Sequence, residues 1–167
     1  EALARRFSDE DPFFRPARST FEPTKKEANV PNINTIPGED VFYFDCRVLP
    51  HISLDDAMAE MRAIGGSIAE RFGVSVEVEE YLKFNAPAPT PADSPVVIAL
   101  AQAVQEVYGV QAKPVGIGGQ TVAAFFRKKG LRAAVWEKML GYAHAPNEMI
   151  SLDNLIGNAK VFARMMV

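Results

Sequence analysis

The chain has 167 residues, 48% of them hydrophobic, with 18 basic and 21 acidic side chains and a net charge of −3. That length suffices for one domain or two small ones around a packed core, and the charge gives no broad positive field of the kind that holds nucleic acid or an anionic membrane surface. No apolar run reaches the roughly 18 residues that span a bilayer, and the single cysteine, Cys46, has no partner for an internal disulfide, which fits a reducing compartment and a cytoplasmic protein.

Residues 1–7, Glu-Ala-Leu-Ala-Arg-Arg-Phe, read as the tail of a helix and not as an initiator region or a signal sequence, so the chain is expected to be a fragment. Ser19 to Asn34 carries threonine, valine and isoleucine among polar residues, and Pro37-Gly38-Glu39-Asp40 supplies a turn. Beyond it Phe42 to Val48 alternates, with Phe42, Phe44, Cys46 and Val48 on one face and Tyr43, Asp45 and Arg47 on the other. The pattern predicts two antiparallel strands, the second half-buried.

Ser53 offers an N-cap with Asp55 and Asp56 in the first turn. Leu54, Ala57, Met58, Met61, Ile64, Ile68 and Phe72 recur at helical spacing up to Gly73. Val74, Val76, Val78 and Leu82 then alternate with polar residues, which predicts another strand. Strand, strand, helix, strand after an incomplete helix is the order of a ferredoxin-like β-α-β-β-α-β domain whose beginning is missing, over residues 1–85.

The run Ala86-Pro87-Ala88-Pro89-Thr90-Pro91-Ala92-Asp93 lacks amide donors at its prolines and reads as a linker. After it, Ser94-Pro95 opens a helix lined by Val97, Leu100, Ala101, Val104 and Val107 and stopped by Gly109. A turn at Gly116-Ile117-Gly118-Gly119 leads into a short helix closed by Gly130. Leu131 to Trp136 reads as a covered strand, and a last helix from about Ser151 to Met166 is expected to bury Leu152, Leu155, Ile156, Ala159, Phe162, Ala163 and Met166. Helices interleaved with covered strands make residues 86–167 an α/β segment.

Few side chains here can carry chemistry. His144 lies in a polar loop, Ala143-His144-Ala145-Pro146-Asn147-Glu148; an ordinary exposed turn residue and a metal ligand both fit that position. His51, beside a helix N-cap, reads as a turn residue. With no His-x-Asp, His-Glu-x-x-His or cysteine cluster, the chain offers a zinc ion one ligand at most. Gly116 to Thr121 lacks the lysine of a phosphate loop, so a tight turn competes with anion binding there. Arg47, on the outward face of its strand, is either solvated or a bidentate clamp for a carboxylate.

Together these residues resemble the zinc-dependent exopeptidases and deacylases that include glutamate carboxypeptidase, acetylornithine deacetylase, succinyl-diaminopimelate desuccinylase and the aminoacylases. Asn34-Thr35-Ile36-Pro37-Gly38 followed by Phe44-Asp45-Cys46-Arg47 is similar to the family's lid motif. Gly118-Gly119-Gln120-Thr121 is similar to its Gly-Gly-x-Thr helix entry, and Ala143 to Glu148 with Ser151 to Leu155 to its closing motif. The resemblance implies a ferredoxin-like lid and dimerisation domain at 1–85 and the C-terminal segment of an α/β zinc-peptidase catalytic domain at 86–167. It also implies two Zn2+ ions per complete subunit, with Co2+ or Mn2+ as alternatives, and His144 as one metal ligand.

On the same ground Asn34, Arg47, Gly118, Gly119 and Thr121 would bind a small peptide or N-acyl amino acid, and the lid would form a homodimer through residues within Ser19 to Leu82. In such enzymes a glutamate general base acts on a metal-bound water that attacks the amide carbonyl; that base and the other ligands would lie upstream of Glu1, so no catalytic residue is expected in this chain. Val122 and Ala124 stand where many relatives have aspartate and arginine, which weighs against succinyl-diaminopimelate as substrate. The competing reading is a noncatalytic ferredoxin-like module that binds a small ligand or a protein.

Overall fold

A computed structural model describes residues 1–166. In chain order the elements are α1 (Ala2–Arg6), β1 (Phe14–Arg15), β2 (Thr20–Lys26), β3 (Phe42–Arg47), α2 (Leu54–Phe72), α3 (Pro95–Tyr108), β4 (Gly116–Ile117), α4 (Ala123–Lys128) and α5 (Leu152–Met165). They fall into two compact units. One contains Glu1–Asn85 together with Gly116–Gly119; the other contains Ala86–Val115 and the chain from Gln120 onward.

In the first unit β2 and β3 form an antiparallel ladder in which Thr20 faces Arg47, Glu22 faces Asp45 and Lys26 faces Phe42. The ladder slips between Pro23 and Lys25, leaving Thr24 as an extra residue. Proline has no amide hydrogen to give a ladder, and a bulge accommodates it. Helix α2 starts where Ser53 Oγ accepts the amides of Asp55 and Asp56 at 3.1 and 3.4 Å. It ends at Gly73, whose φ of +65° is the left-handed conformation that glycine adopts without a Cβ penalty. Leu3, Phe7 and Ala57 form the core, with Phe21, Val48, Ile52, Met61 and Ile64 against it.

That core corrects the expected burial of the strand. Phe42 and Phe44 are 55% and 48% exposed, because the helical cover reaches the Phe21 and Val48 end of the ladder and not the other. Ile68 and Phe72, in the last turns of α2, are exposed as well. The expected strand at Val74 to Leu82 is also absent: the segment joins no ladder among the described residues. Side chains hold it instead. Val76 and Val78 close over Gly65 of α2, Tyr81 meets Tyr43 edge to face at 6.0 Å, and Lys83 pairs with Asp55. Alternation makes a segment ready to pair, but a strand exists only where a neighbouring backbone accepts its hydrogen bonds.

The second unit is organised by α3 and α5. Leu100, Ala103, Val104 and Val161 are its buried core, with Val107, Tyr108, Ala112, Ala134, Trp136 and Met165 around them. Pro95 and Gly109 bound α3 as the sequence predicts, and Ser151 Oγ caps α5 by accepting the Asn154 amide at 3.2 Å. The buried face of α5 differs from expectation. It consists of Asn154, Gly157, Asn158 and Val161, while Leu152, Leu155, Ile156, Phe162 and Met166 are exposed. Asn158 turns the helix this way: its Oδ1 accepts the Lys138 amide at 3.0 Å and the Tyr108 hydroxyl at 3.3 Å, and its Nδ2 donates to the Lys138 carbonyl at 3.3 Å. Within this chain a buried carboxamide satisfied by three bonds sets the inward face of the helix, and the apolar stripe faces outward.

Leu131 to Trp136, expected as a strand, joins no ladder among the described residues either. Thr90 takes the place of a neighbouring strand there, its Oγ1 accepting the Ala133 amide at 3.2 Å and donating to the Ala133 carbonyl at 2.6 Å.

Two glycines in helices test this packing in opposite directions. A Cβ on Gly157 would overlap the Tyr108 ring and hydroxyl, whereas one on Gly66 meets nothing within 4 Å. Gly157→Ala should therefore lower stability by about 1–3 kcal/mol through overpacking, and Gly66→Ala should raise it by about 0.5–1 kcal/mol through helix propensity. Denaturant titration of the two variants checks both signs, and a destabilised Gly66→Ala or a neutral Gly157→Ala would contradict the packing described.

Candidate functional site

Arg47 ends β3, two residues beyond Asp45 on the same side of the strand. Its Nε donates to Asp45 Oδ2 at 2.8 Å. Both side chains are about half exposed, so the pair stands at the surface. Among the described residues the two Nη groups have no protein partner. A guanidinium offers carboxylates two forks, one along the Nε edge and one between the Nη groups. Asp45 engages the first and leaves the second.

The glycine turn meets the same arginine. Gly116 and Ile117 pair in parallel with Phe14 and Arg15, so part of what the sequence suggests as a turn is a short strand. A Cβ on Gly116 would run into the Phe14 ring. Two residues on, a Cβ on Gly118 would lie 3.1 Å from Arg47 Cδ and 3.5 Å from its Cβ, while Gly119 faces open space. Of the residues singled out in the sequence, the structure thus brings Gly118 and Arg47 together. Asn34 lies apart from them in sequence, in an exposed turn closed by the Thr35 amide on the Asn32 carbonyl at 3.3 Å. Thr121 stands just ahead of α4, and its carbonyl accepts the Ala124 amide at 3.0 Å.

His144 occupies the second unit. The loop around it is a chain of tight turns: Ala145 donates to the Tyr142 carbonyl at 3.0 Å, and Glu148 donates to the Ala145 carbonyl at 3.2 Å. His144 and Asn147 take φ of +64° and +60°, a conformation side chains other than glycine seldom adopt. The Glu148 carboxylate accepts the His144 amide at 3.2 Å and braces the turn. The imidazole is left exposed. It fits a metal as a donor, but one donor is one of the three or four that zinc takes. No group of three histidine, cysteine, aspartate or glutamate side chains is placed to hold a metal among the described residues.

Two residues were missing from the sequence-based set. Asp45 was legible from strand alternation, which already puts it beside Arg47. Glu148 lies in the same short motif as His144, but only the folded turn shows its carboxylate on the His144 amide.

The family model of Peptidase family M20/M25/M40 matches residues 12–167, and the chain belongs to that family. It is 37% identical over 175 residues to an uncharacterized metallohydrolase of Methanococcus maripaludis, covering 97% of this chain and 42% of that protein. It is 34% identical over 172 residues to one of Methanocaldococcus jannaschii, covering 98% of this chain and 42% of that protein. The chain thus spans 42% of the length of these curated relatives. Among solved structures, an M20 family metallo-carboxypeptidase from Sulfolobus solfataricus matches with a TM-score of 0.63 at 21% identity, over 92% of this chain and 36% of that one. The fold is a mixed α/β fold of that kind.

The neighbour of Arg47 on β3 gives a test of the local electrostatics. Burial first, and the Asp45 charge second, raise the Cys46 thiol above its ordinary pKa. Cys46 should therefore be alkylated by iodoacetamide more slowly in the folded chain than in the unfolded one at about pH 8.5, near the free thiol's pKa. Asp45→Asn should recover part of the difference. Equal rates folded and unfolded would show that strand β3 does not shield the thiol.

Proposed function

We propose that this chain is the C-terminal part of a metal-dependent hydrolase that cleaves amide bonds of small peptides or N-acyl amino acids. The observation that supports this most is the match of the M20 family model to residues 12–167 in a chain whose metallohydrolase relatives are more than twice as long. In this reading residues 1–85 are the ferredoxin-like lid and dimerisation domain and residues 86–167 the end of the catalytic domain, whose Gly116–Gly119 turn packs with the first unit. The exposed apolar side chains of α5, among them Leu155, Ile156 and Phe162, are where the rest of that domain packs.

His144 contributes one ligand to a centre of two metal ions, zinc or alternatively cobalt or manganese, on a loop fixed by its turns and by Glu148. The bound metals would supply an activated water and polarise the amide carbonyl. This chain's residues bind and orient the substrate: the Arg47 Nη fork takes its free carboxylate, Asn34 contacts it from the lid loop, and the backbone at Gly118, Gly119 and Thr121 lines its path. The general base comes from the remainder of the enzyme. The lid pairs two subunits into a homodimer through residues within Ser19 to Leu82, and the enzyme works in the cytoplasm.

Metal analysis separates this reading from a noncatalytic module. The 167-residue chain alone should bind zinc only weakly and hydrolyse nothing, because a lone imidazole cannot hold the ion in the geometry that activates water. The full-length enzyme should bind two metals per subunit and turn over an N-acyl amino acid or dipeptide, and His144→Ala should deplete one metal and abolish most turnover. Stoichiometric zinc with activity in the short chain would refute the proposed division of the active site.

Arg47→Ala in the full-length enzyme should cost about 2–4 kcal/mol in kcat/KM on substrates with a free carboxylate, the worth of a charge-assisted bidentate contact. Folding should be little affected, since Arg47 is half exposed. Equal kcat/KM for parent and variant would remove the carboxylate-clamp role.

A further inference from the structure

We propose that Asp45 and Gly118 are positioning residues that present the Arg47 guanidinium end-on, so that its Nη fork and not its Nε edge receives the substrate carboxylate. This rests on the clamp reading of Arg47 above. Two independent contacts carry it. Asp45 Oδ2 occupies Nε at 2.8 Å, which restrains the head of the side chain and takes up its side-on fork. Gly118 lies against the aliphatic stem, with space for a Cβ only 3.1 Å from Arg47 Cδ, so the backbone of the glycine turn forms a wall along the side chain.

An unpaired arginine on a strand samples many rotamers, and ordering it on binding costs affinity. Here one contact restrains the head and the other the stem before substrate arrives. The ladder favours the arrangement further. Glu22 stands opposite Asp45, and like charges facing each other across a ladder repel, so Asp45 gains by turning to the guanidinium beside it. Asp45 also offsets the single positive charge of Arg47. The site therefore suits a single carboxylate better than a group carrying two negative charges.

The test compares an N-acyl amino acid with its carboxamide, which lacks the charge, as substrates of the full-length, metal-loaded enzyme. Asp45→Asn keeps the shape but weakens the hold on Nε, and Gly118→Ala pushes the stem. Each should raise KM for the carboxylate substrate about five- to tenfold, more than it changes kcat, and should lower the preference for carboxylate over carboxamide. If Arg47→Ala collapses that preference while Asp45→Asn and Gly118→Ala leave it intact, the clamp stands and the positioning role is overturned. If Arg47→Ala itself leaves the preference intact, the clamp reading fails and the proposal with it. Equal losses on both substrates would also overturn it, because a general disturbance of the fold takes no account of substrate charge.

Discussion

The arrangement around Arg47 depends on a run of backbone that carries no side chains where it passes closest to its neighbours. Gly116 lies under the Phe14 ring while pairing in parallel with β1, and Gly118 lies on the stem of Arg47. A Cβ at either place would force ring or stem to move. The parallel pair at Phe14 and Arg15 holds the run in register, and Gly119 faces open space. Glycine serves here for close approach, since none of the three has a positive φ.

The second unit follows the same rule with a polar partner. Gly157 lets Tyr108 come against α5, and Asn158 beside it bonds both the amide and the carbonyl of Lys138. Together they fix which face of α5 meets α3. The consequence is a helix whose apolar stripe is exposed and whose buried face holds two asparagines and a glycine. Hydrophobic patterning governs a helix only when something apolar is available for the stripe to cover. Where the neighbour is a tyrosine hydroxyl and a loop backbone, satisfied hydrogen bonds decide.

Strand β3 shows how a candidate site grows from such local rules. Alternation sets Asp45 and Arg47 side by side, antiparallel pairing puts Thr20 and Glu22 across from them, and the glycine run supplies the third side. None of these residues is deeply buried. Their chemistry comes from mutual placement and not from a low dielectric. The His144 loop contrasts with this: its tight turns fix the backbone, while the imidazole remains exposed.

The sequence by itself determined what depends on neighbours along the chain. Ser53 and Gly73 bound α2, Pro95 and Gly109 bound α3, and Ser151 caps α5. Caps, turns and strand alternation act over a few residues, so they are legible without a fold. The same locality made Asp45 readable as the companion of Arg47. Tertiary structure alone decided which alternating segments became strands. Phe42 to Arg47 found a partner, whereas Val74 to Leu82 and Leu131 to Trp136 are held by side chains and by Thr90. It alone decided that α5 buries Asn158 in preference to Leu155, and that Gly118, 71 positions after Arg47 in the numbering, lies against it. Ladders, helix faces and close approaches are contacts between residues far apart in the chain, and their energies exist only once both partners have been brought together.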